Sequence, residues 1–304
     1  MDGNIGALDL KRFHWLASLS DEIGKCAALH TLNLEGCREL DTLPVEIGLC
    51  GALSTLNLAS CTALTTLPAE LGRCDSLHTL DLTRCESLAS LPDVISQCSG
   101  LRTLTLAACR FVTLPVEIGQ CGALCTLSLE WCGELTCLPA DIGNCANLGT
   151  LNLAKCWKLT SLPAELWRCA SLQVLDLGSC QALASLPAEI GQCSNLRTLK
   201  LTCCHLVTLL VESGRCGALS ILDLMLCEEL AFLPAEIGQC ANLRTLDLSH
   251  CKALTSLPAD LGDCKNLHTL ELRDCELLMP SVLPALLRTP WMHSLIEVDL
   301  HKLV

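Results

Sequence analysis

The stretch LSTLNLASCTALTTLPAELGRC, residues 53–74, decides how this chain is read. Its apolar residues fall as L-x-x-L-x-L-x-x-C-x-x-L-x-x-L-P, and the order restarts 24 residues either side, at Leu29 and Leu77. Working outward, Leu-Pro pairs stand at Leu43-Pro44, Leu67-Pro68, Leu91-Pro92, Leu114-Pro115, Leu138-Pro139, Leu162-Pro163, Leu186-Pro187, Leu233-Pro234 and Leu257-Pro258. Leu19-Ser20 and Leu209-Leu210 hold the same place without Pro. The steps are 24 residues, except for two of 23 that end at Leu114 and Leu209.

Within a unit, the L-x-L core alternates inward and outward, which predicts a short strand. The next Leu residues carry the chain beneath the core. Pro is expected to start a brief helical turn, where its missing N–H costs nothing. The Glu two residues on suits the positive end of the helix dipole. Gly is expected to end the turn in a left-handed conformation. The L-x-x-L-x-L frames open at Leu29, Leu53, Leu77, Leu101, Leu124, Leu148, Leu172, Leu196, Leu219, Leu243 and Leu267. Ile5, Leu8, Leu10 and Phe13 repeat the spacing at the start, with Phe in the Cys position. Leu295, Val298, Leu300 and Leu303 repeat it at the end.

A fixed period in this range is the signature of leucine-rich repeats. The expected fold is an α/β leucine-rich-repeat solenoid, a curved horseshoe. A parallel β-sheet of about 13 strands would line its concave face, with short helical turns and loops on its convex face. One domain, 1–304, is expected: an irregular N-terminal repeat over 1–28, regular 23/24-residue repeats over 29–278, and a C-terminal cap with a last strand over 279–304. The cap reading rests on Met279 to Trp291, which carries three Pro and no repeat Cys. At the start, either Phe13 and Trp15 cover the first apolar layer or the chain is part of something longer. The two one-residue deletions fall between Cys109 and Leu114 and between Cys204 and Leu209, so the strands should stay in register.

Composition narrows the function classes. Hydrophobic residues make up 51% of the chain, aromatic residues 3%, and Tyr is absent. Leu and Cys must therefore fill the core. The net charge of −13 disfavours nucleic acid and anionic membrane surfaces, which attract clustered Lys and Arg. Met1-Asp2-Gly3-Asn4 begins no basic-then-apolar leader, and no apolar run is long enough for membrane insertion. The expected location is cytoplasmic, with the 25 cysteines as reduced thiols.

The string C-x-x-L-x-x-L-P-x-E-I-G, as in Cys61 to Gly72 or Cys227 to Gly238, resembles intracellular leucine-rich repeats. It is similar to the repeat region of plant nucleotide-binding disease-resistance receptors and to the plant intracellular Ras-group-related repeat proteins. The likeness covers nearly the whole chain. It implies the fold, and it implies protein binding only as one use among many of that fold. The chain has no G-x-x-x-x-G-K-[ST] phosphate loop, and a second Cys per unit replaces the Leu usual in such repeats.

Two cysteine series run through the repeats. Cys37, Cys61, Cys85, Cys109, Cys132, Cys156, Cys180, Cys204, Cys227, Cys251 and Cys275 form one. Cys26, Cys50, Cys74, Cys98, Cys121, Cys145, Cys169, Cys193, Cys216, Cys240 and Cys264 form the other. A ladder sets its thiols in a line, whereas zinc needs four ligands converging on a point. Both series are therefore read as packing, the first also donating weak S–H bonds to loop carbonyls. No metal and no cofactor is expected. Cys125, Cys137 and Cys203 fall outside both series and are candidates for exposed, oxidisable thiols.

The candidate binding residues lie on the concave face and the loop edge. The first outward strand position is a Thr row, read as structural because β-branched residues suit strands. The next is polar and mostly acidic or amide. Its run Asp223, Asp247 and Glu271 hints at a basic partner, since stacked like charges cost stability. Trp131 and Trp157 flank Cys132 and Cys156 at the loop edge, with Glu130, Lys155 and Lys158 beside them, the make-up of an interface hot spot. Met225, Leu226 and Phe232 form a second irregular patch. No H-E-x-x-H, G-x-S-x-G or dinucleotide fingerprint occurs, so no catalytic residue is assigned. The expected function is a non-catalytic protein-interaction scaffold. The alternatives are a structural subunit of a larger assembly and the ligand-sensing region of an immune-type receptor.

Overall fold

The computed structural model describes residues 5–209, 211–278 and 297–299. The backbone forms two compact units, Met1–Leu151 and Asn152–Val304. Among the described residues there are thirteen strands of three residues each. In the first unit β1 (Ala7–Asp9), β2 (Thr31–Asn33), β3 (Thr55–Asn57), β4 (Thr79–Asp81), β5 (Thr103–Thr105) and β6 (Thr126–Ser128) pair in chain order, all parallel. β7 (Thr150–Asn152) spans the division between the units. In the second, β8 (Val174–Asp176), β9 (Thr198–Lys200), β10 (Ile221–Asp223), β11 (Thr245–Asp247), β12 (Thr269–Glu271) and β13 (Glu297–Asp299) pair in the same way. Leu210 and the expected cap, Met279 to Trp291, lie outside the described residues, as do Leu295, Leu300 and Leu303.

Each strand starts two residues after the Leu that opens its frame. Ser54 and Thr55 both donate their N–H to the His30 carbonyl, at 2.9 and 3.0 Å, and the ladder begins there. Leu53, Leu56, Leu58, Cys61, Leu64, Leu71 and Cys74 are fully buried in this one coil. Each such Leu contributes about 1.5–3 kcal/mol relative to an exposed one.

The helical turns are five-residue 3-10 turns such as Ala69–Arg73. Pro68 precedes the turn rather than starting it, with an extended backbone at φ −68° and ψ 145°. The ring fixes φ alone, so ψ is free to be extended. The Pro68 carbonyl then accepts from the Leu71 N–H at 3.1 Å, closing an i→i+3 bond.

The turn glycines also differ from expectation. Gly48 sits fourth in the turn Val45–Leu49 and does not take a left-handed conformation. A Cβ placed on Gly48, Gly119, Gly214 or Gly238 would come under 3.0 Å from the carbonyl oxygen of Glu70, Asp141, Glu236 or Asp260 in the next turn. Close approach of the neighbouring coil selects Gly here.

The left-handed residue stands elsewhere, immediately before the first cysteine of each coil. Ser60, Arg84, Ala108, Trp131, Lys155 and Leu226 all have φ between 57° and 64°, and Gly36 is the single glycine among them. That conformation costs a non-Gly residue about 1–2 kcal/mol. It aims the N–H at the next coil: Ser60 donates to the Thr83 carbonyl at 2.6 Å and Leu226 to that of Ser249 at 2.8 Å.

The deletions leave the strands in register, with Thr103 beside Thr126 and Thr198 beside Ile221. Phe111 and Leu206 fill the core position one residue early and are fully buried. At the N-terminal end Trp15 stays 75% exposed and does not cover the first coil, whose Leu8, Leu10, Leu16 and Leu19 remain half-buried.

The Gly contact has a paired test. Gly48→Ala should destabilise by more than about 2 kcal/mol, since the clash is with backbone. Gly51→Ala, where a Cβ meets nothing within 4 Å, should change stability by less than about 0.5 kcal/mol. Urea unfolding of the two variants against the parent chain is the measurement.

Candidate functional site

Parallel pairing turns each repeat position into a row. Thr31, Thr55, Thr79, Thr103 and Thr126 stand side by side on the outward face of the first unit. Thr198, Ile221, Thr245 and Thr269 do so in the second. The next outward row holds the predicted Asp223, Asp247 and Glu271 in register on β10, β11 and β12.

Two of these three acids have a local role that the sequence reading missed. Asp223 Oδ1 accepts from the Met225 N–H at 3.0 Å, and Asp247 Oδ1 from the Ser249 N–H at 2.8 Å. Asn33, Asn57, Asp81 and Asp176 make the same bond two residues on. The row therefore caps the turn that leaves each strand, as Asn and Asp do in Asx-turns. The i→i+2 spacing of an Asn or Asp closing a strand is the sequence signal for it. Lys200, the exception in the row, pairs with Asp176 on the adjacent strand at 3.3 Å.

Along the loop edge, Glu130 is half-buried and Trp131 is 46% exposed in the first unit. In the second unit Lys155 is half-buried, Trp157 is 43% exposed and Lys158 is exposed. Trp131 occupies the left-handed position, at φ 64°. Further along the second unit, Met225 and Leu226 are half-buried while Phe232 is 50% exposed. Met225, Asp247, Ser249, His250, Glu271 and Arg273 line an open cleft of about 270 Å³. Nearby polar pairs are exposed: the ion pair of Lys252 with Glu228 at 2.7 Å, and the His205 ring nitrogen with the Glu229 carboxylate at 3.0 Å. The Lys252 ammonium, hydrogen-bonded to Glu228, holds that carboxyl below the ordinary range.

Both cysteine series are packed as ladders. Cys61 Sγ donates to the Leu34 carbonyl at 3.2 Å and Cys85 Sγ to that of Leu58 at 3.3 Å. The second series, for which packing alone was expected, does the same. Cys50 Sγ donates to the Ile23 carbonyl and Cys264 Sγ to that of Ile237, both at 3.3 Å. Burial pushes the Cys61 thiol up to about 12, with the neighbouring Cys37 adding to the rise. It pushes Cys74 to about 12 as well, helped by Cys50 and Cys98. Cys125 and Cys137 are exposed and Cys203 is half-buried. Among the described residues no group of three or more His, Cys, Asp and Glu is placed to hold a metal ion. No described helix is long and apolar enough to cross a membrane.

The leucine-rich repeat region family matches residues 67–215, and the leucine-rich repeat family matches residues 242–264. The leucine-rich-repeat domain of the type III effector XopL is 31% identical, over 65% of this chain and 70% of that one, with a TM-score of 0.59. A leucine-rich-repeat protein of Leptospira interrogans is 28% identical, over 93% of this chain and 81% of that one, with a TM-score of 0.58. An internalin from Listeria monocytogenes shares the fold at 14% identity and a TM-score of 0.56, over 90% of this chain and 85% of that one. No curated protein matches the sequence. The chain belongs to the leucine-rich-repeat proteins. Their fold is typical of protein–protein interaction domains and is generally non-enzymatic.

The ladders set an alkaline limit on stability. In the folded chain Cys61 and Cys74 hold their protons to about pH 12, whereas the unfolded chain releases them above about pH 9. Stability is therefore complete below about pH 9 and falls as the pH rises toward 12. Each thiol held up in this way removes about 1.4 kcal/mol per pH unit in that window. Ten of them would exhaust a typical stability of about 5–15 kcal/mol in one unit. Circular dichroism and thiolate absorbance near 240 nm should change together in one cooperative step. No Tyr titration interferes, because the chain has none. Thiolate absorbance that rises while the dichroism holds would contradict the assignment. At neutral pH, a thiol reagent should label Cys125 and Cys137 rapidly and the ladders only after unfolding, read by peptide mass mapping.

Proposed function

We propose that this chain is a non-catalytic, cytoplasmic scaffold that binds a protein partner through the outward sheet face and the adjacent loop edge. The observation that carries this reading is Trp131. It is a large apolar side chain, 46% exposed, at a left-handed backbone position (φ 64°) where other coils place residues such as Gly36, Ser60, Arg84, Ala108, Ser179 and Asp274, and where the aliphatic Leu226 is half-buried. The left-handed conformation belongs to the coil and recurs at Ser60, Arg84 and Ala108, so it does not call for an indole, and folding gains little from one left nearly half exposed. Trp157 in the second unit supplies a second exposed indole, with Lys158 next to it. Tryptophan is enriched among the residues that dominate binding energy. The ladders support the cytoplasmic reading, because reduced thiols persist in reducing compartments.

Capture from native extract with the parent chain and with Trp131→Ala, Trp157→Ala and the double variant tests it. The double variant is expected to lose the partner while keeping its dichroism spectrum. A loss of about 2 kcal/mol or more would be seen as at least about thirtyfold weaker binding. Retention of every partner by the double variant removes the Trp sites.

A further inference from the structure

In the second unit the residue just before each strand forms a row of its own. Arg197 precedes β9, Ser220 precedes β10, Arg244 precedes β11 and His268 precedes β12. Arg197, Arg244 and His268 are exposed. The coil needs only their backbone. The Arg197 carbonyl accepts from Ser220 and Ile221 at 2.8 and 2.9 Å, and the Arg244 carbonyl accepts from His268 and Thr269, both at 2.9 Å. Ser54 does the same work without a charge, accepting from His78 and Thr79. In a chain of net charge −13, the guanidinium groups of this row have no structural explanation.

Three residues further along stand Asp223, Asp247 and Glu271 on β10, β11 and β12, while β9 carries Lys200 there, paired with Asp176 at 3.3 Å. At 3.3 Å per residue the two rows are about 10 Å apart. Between them lies a floor of Thr198, Ile221, Thr245 and Thr269.

We propose that this face docks an α-helix of a partner protein, laid across β9 to β12, with carboxylates along the flank that meets Arg197, Arg244 and His268 and cationic side chains along the flank that meets Asp223, Asp247 and Glu271. The inference rests on the protein-binding reading above and gives the partner its chemistry. The dimensions select a helix. Its diameter of about 10–12 Å fills the gap between the rows. Neighbouring strands are about 4.8 Å apart, so Arg197 and Arg244 are separated by about 9.6 Å and Arg244 and His268 by about 4.8 Å. Helical positions i and i+7 are about 10.5 Å apart, and i and i+3 about 4.5 Å apart. An extended peptide repeats each face about every 6.7 Å and falls out of step after one coil. A nucleic-acid strand brings only negative charge, which the acidic row repels.

The test uses the full chain and labelled helical peptides read by fluorescence anisotropy. One Ala-rich peptide carries Glu on one flank at i, i+7 and i+10 and Lys on the other. A second carries Glu on both flanks, and a third Lys on both. The two-signed peptide should bind more tightly than either. Arg197→Glu with Arg244→Glu should weaken it by roughly tenfold, as expected for two reversed surface charges. The same variant should gain affinity for the all-Lys peptide. Equal binding of the all-Glu peptide or of polyuridine would overturn the proposal in favour of undirected attraction of anions. No binding by the two-signed peptide, or no effect of the substitutions, would also overturn it. If the variant still captures the natural partner from extract while the peptide results fail, the helix dock falls alone and the protein-binding reading stands.

Discussion

Coil stacking is tightest where a 3-10 turn approaches the backbone of the next, as at Gly48, Gly119, Gly214 and Gly238. At Gly48 that approach leaves no room for a methyl group against the Glu70 carbonyl. On the other side of the coil, the strands hold the same neighbours in register by pairs of N–H bonds to one carbonyl. With both sides fixed at the spacing of a single strand, whatever occupies a repeat position becomes a continuous row. The ladders, the Thr row and the charged rows are all products of that constraint. A bias of one residue in 24 is thereby converted into a surface or a core layer.

The cysteines show what the constraint asks of the interior. A coil one strand thick offers little depth, and the chain fills it with Leu and Cys rather than with rings. The thiol is small enough to repeat every coil, apolar enough to bury and able to donate to a carbonyl that already accepts one backbone bond. The Leu34 carbonyl receives both the Cys37 N–H at 3.0 Å and the Cys61 Sγ at 3.2 Å. Acid or amide groups at such dry positions would need more partners than one carbonyl provides.

Much of this was legible in the sequence, and what was not has a common cause. The 24-residue period and the strand frames are statements about one coil, and they hold: Leu53, Leu56 and Leu58 are buried where alternation puts them. The sequence places the turn Gly, Gly48 among them, at a left-handed helix end because that is what Gly does at the end of an isolated helix. Its actual reason lies in the coil that follows. The left-handed residues were invisible for the same reason, since Ser60, Arg84 and Ala108 carry no conformational signature. The acidic row looked like free surface charge because Asp223 and Asp247 were read along the row, whereas their bonds run along the chain. Trp131 and Trp157 were visible as breaks in a pattern, and both are exposed.

Breaking the pattern is nevertheless not enough to mark a binding residue, and Trp167 shows why. It stands fourth in the turn Ala164–Arg168, the place that Gly holds in most coils, and is 3% exposed. Its Nε1 is buried without a hydrogen-bond partner, at a cost of about 1–3 kcal/mol. The buried rings offset that cost, because an indole removes some 150–250 Å² of surface from water. Trp167 thus breaks a packing rule and is compensated inside the fold. Trp131 takes the same left-handed conformation as Ser60 and Arg84 in other coils, and 46% of it stays exposed. A local cost balanced within the fold needs no partner to explain it. Apolar surface left exposed at Trp131, by contrast, is what the proposed partner would cover.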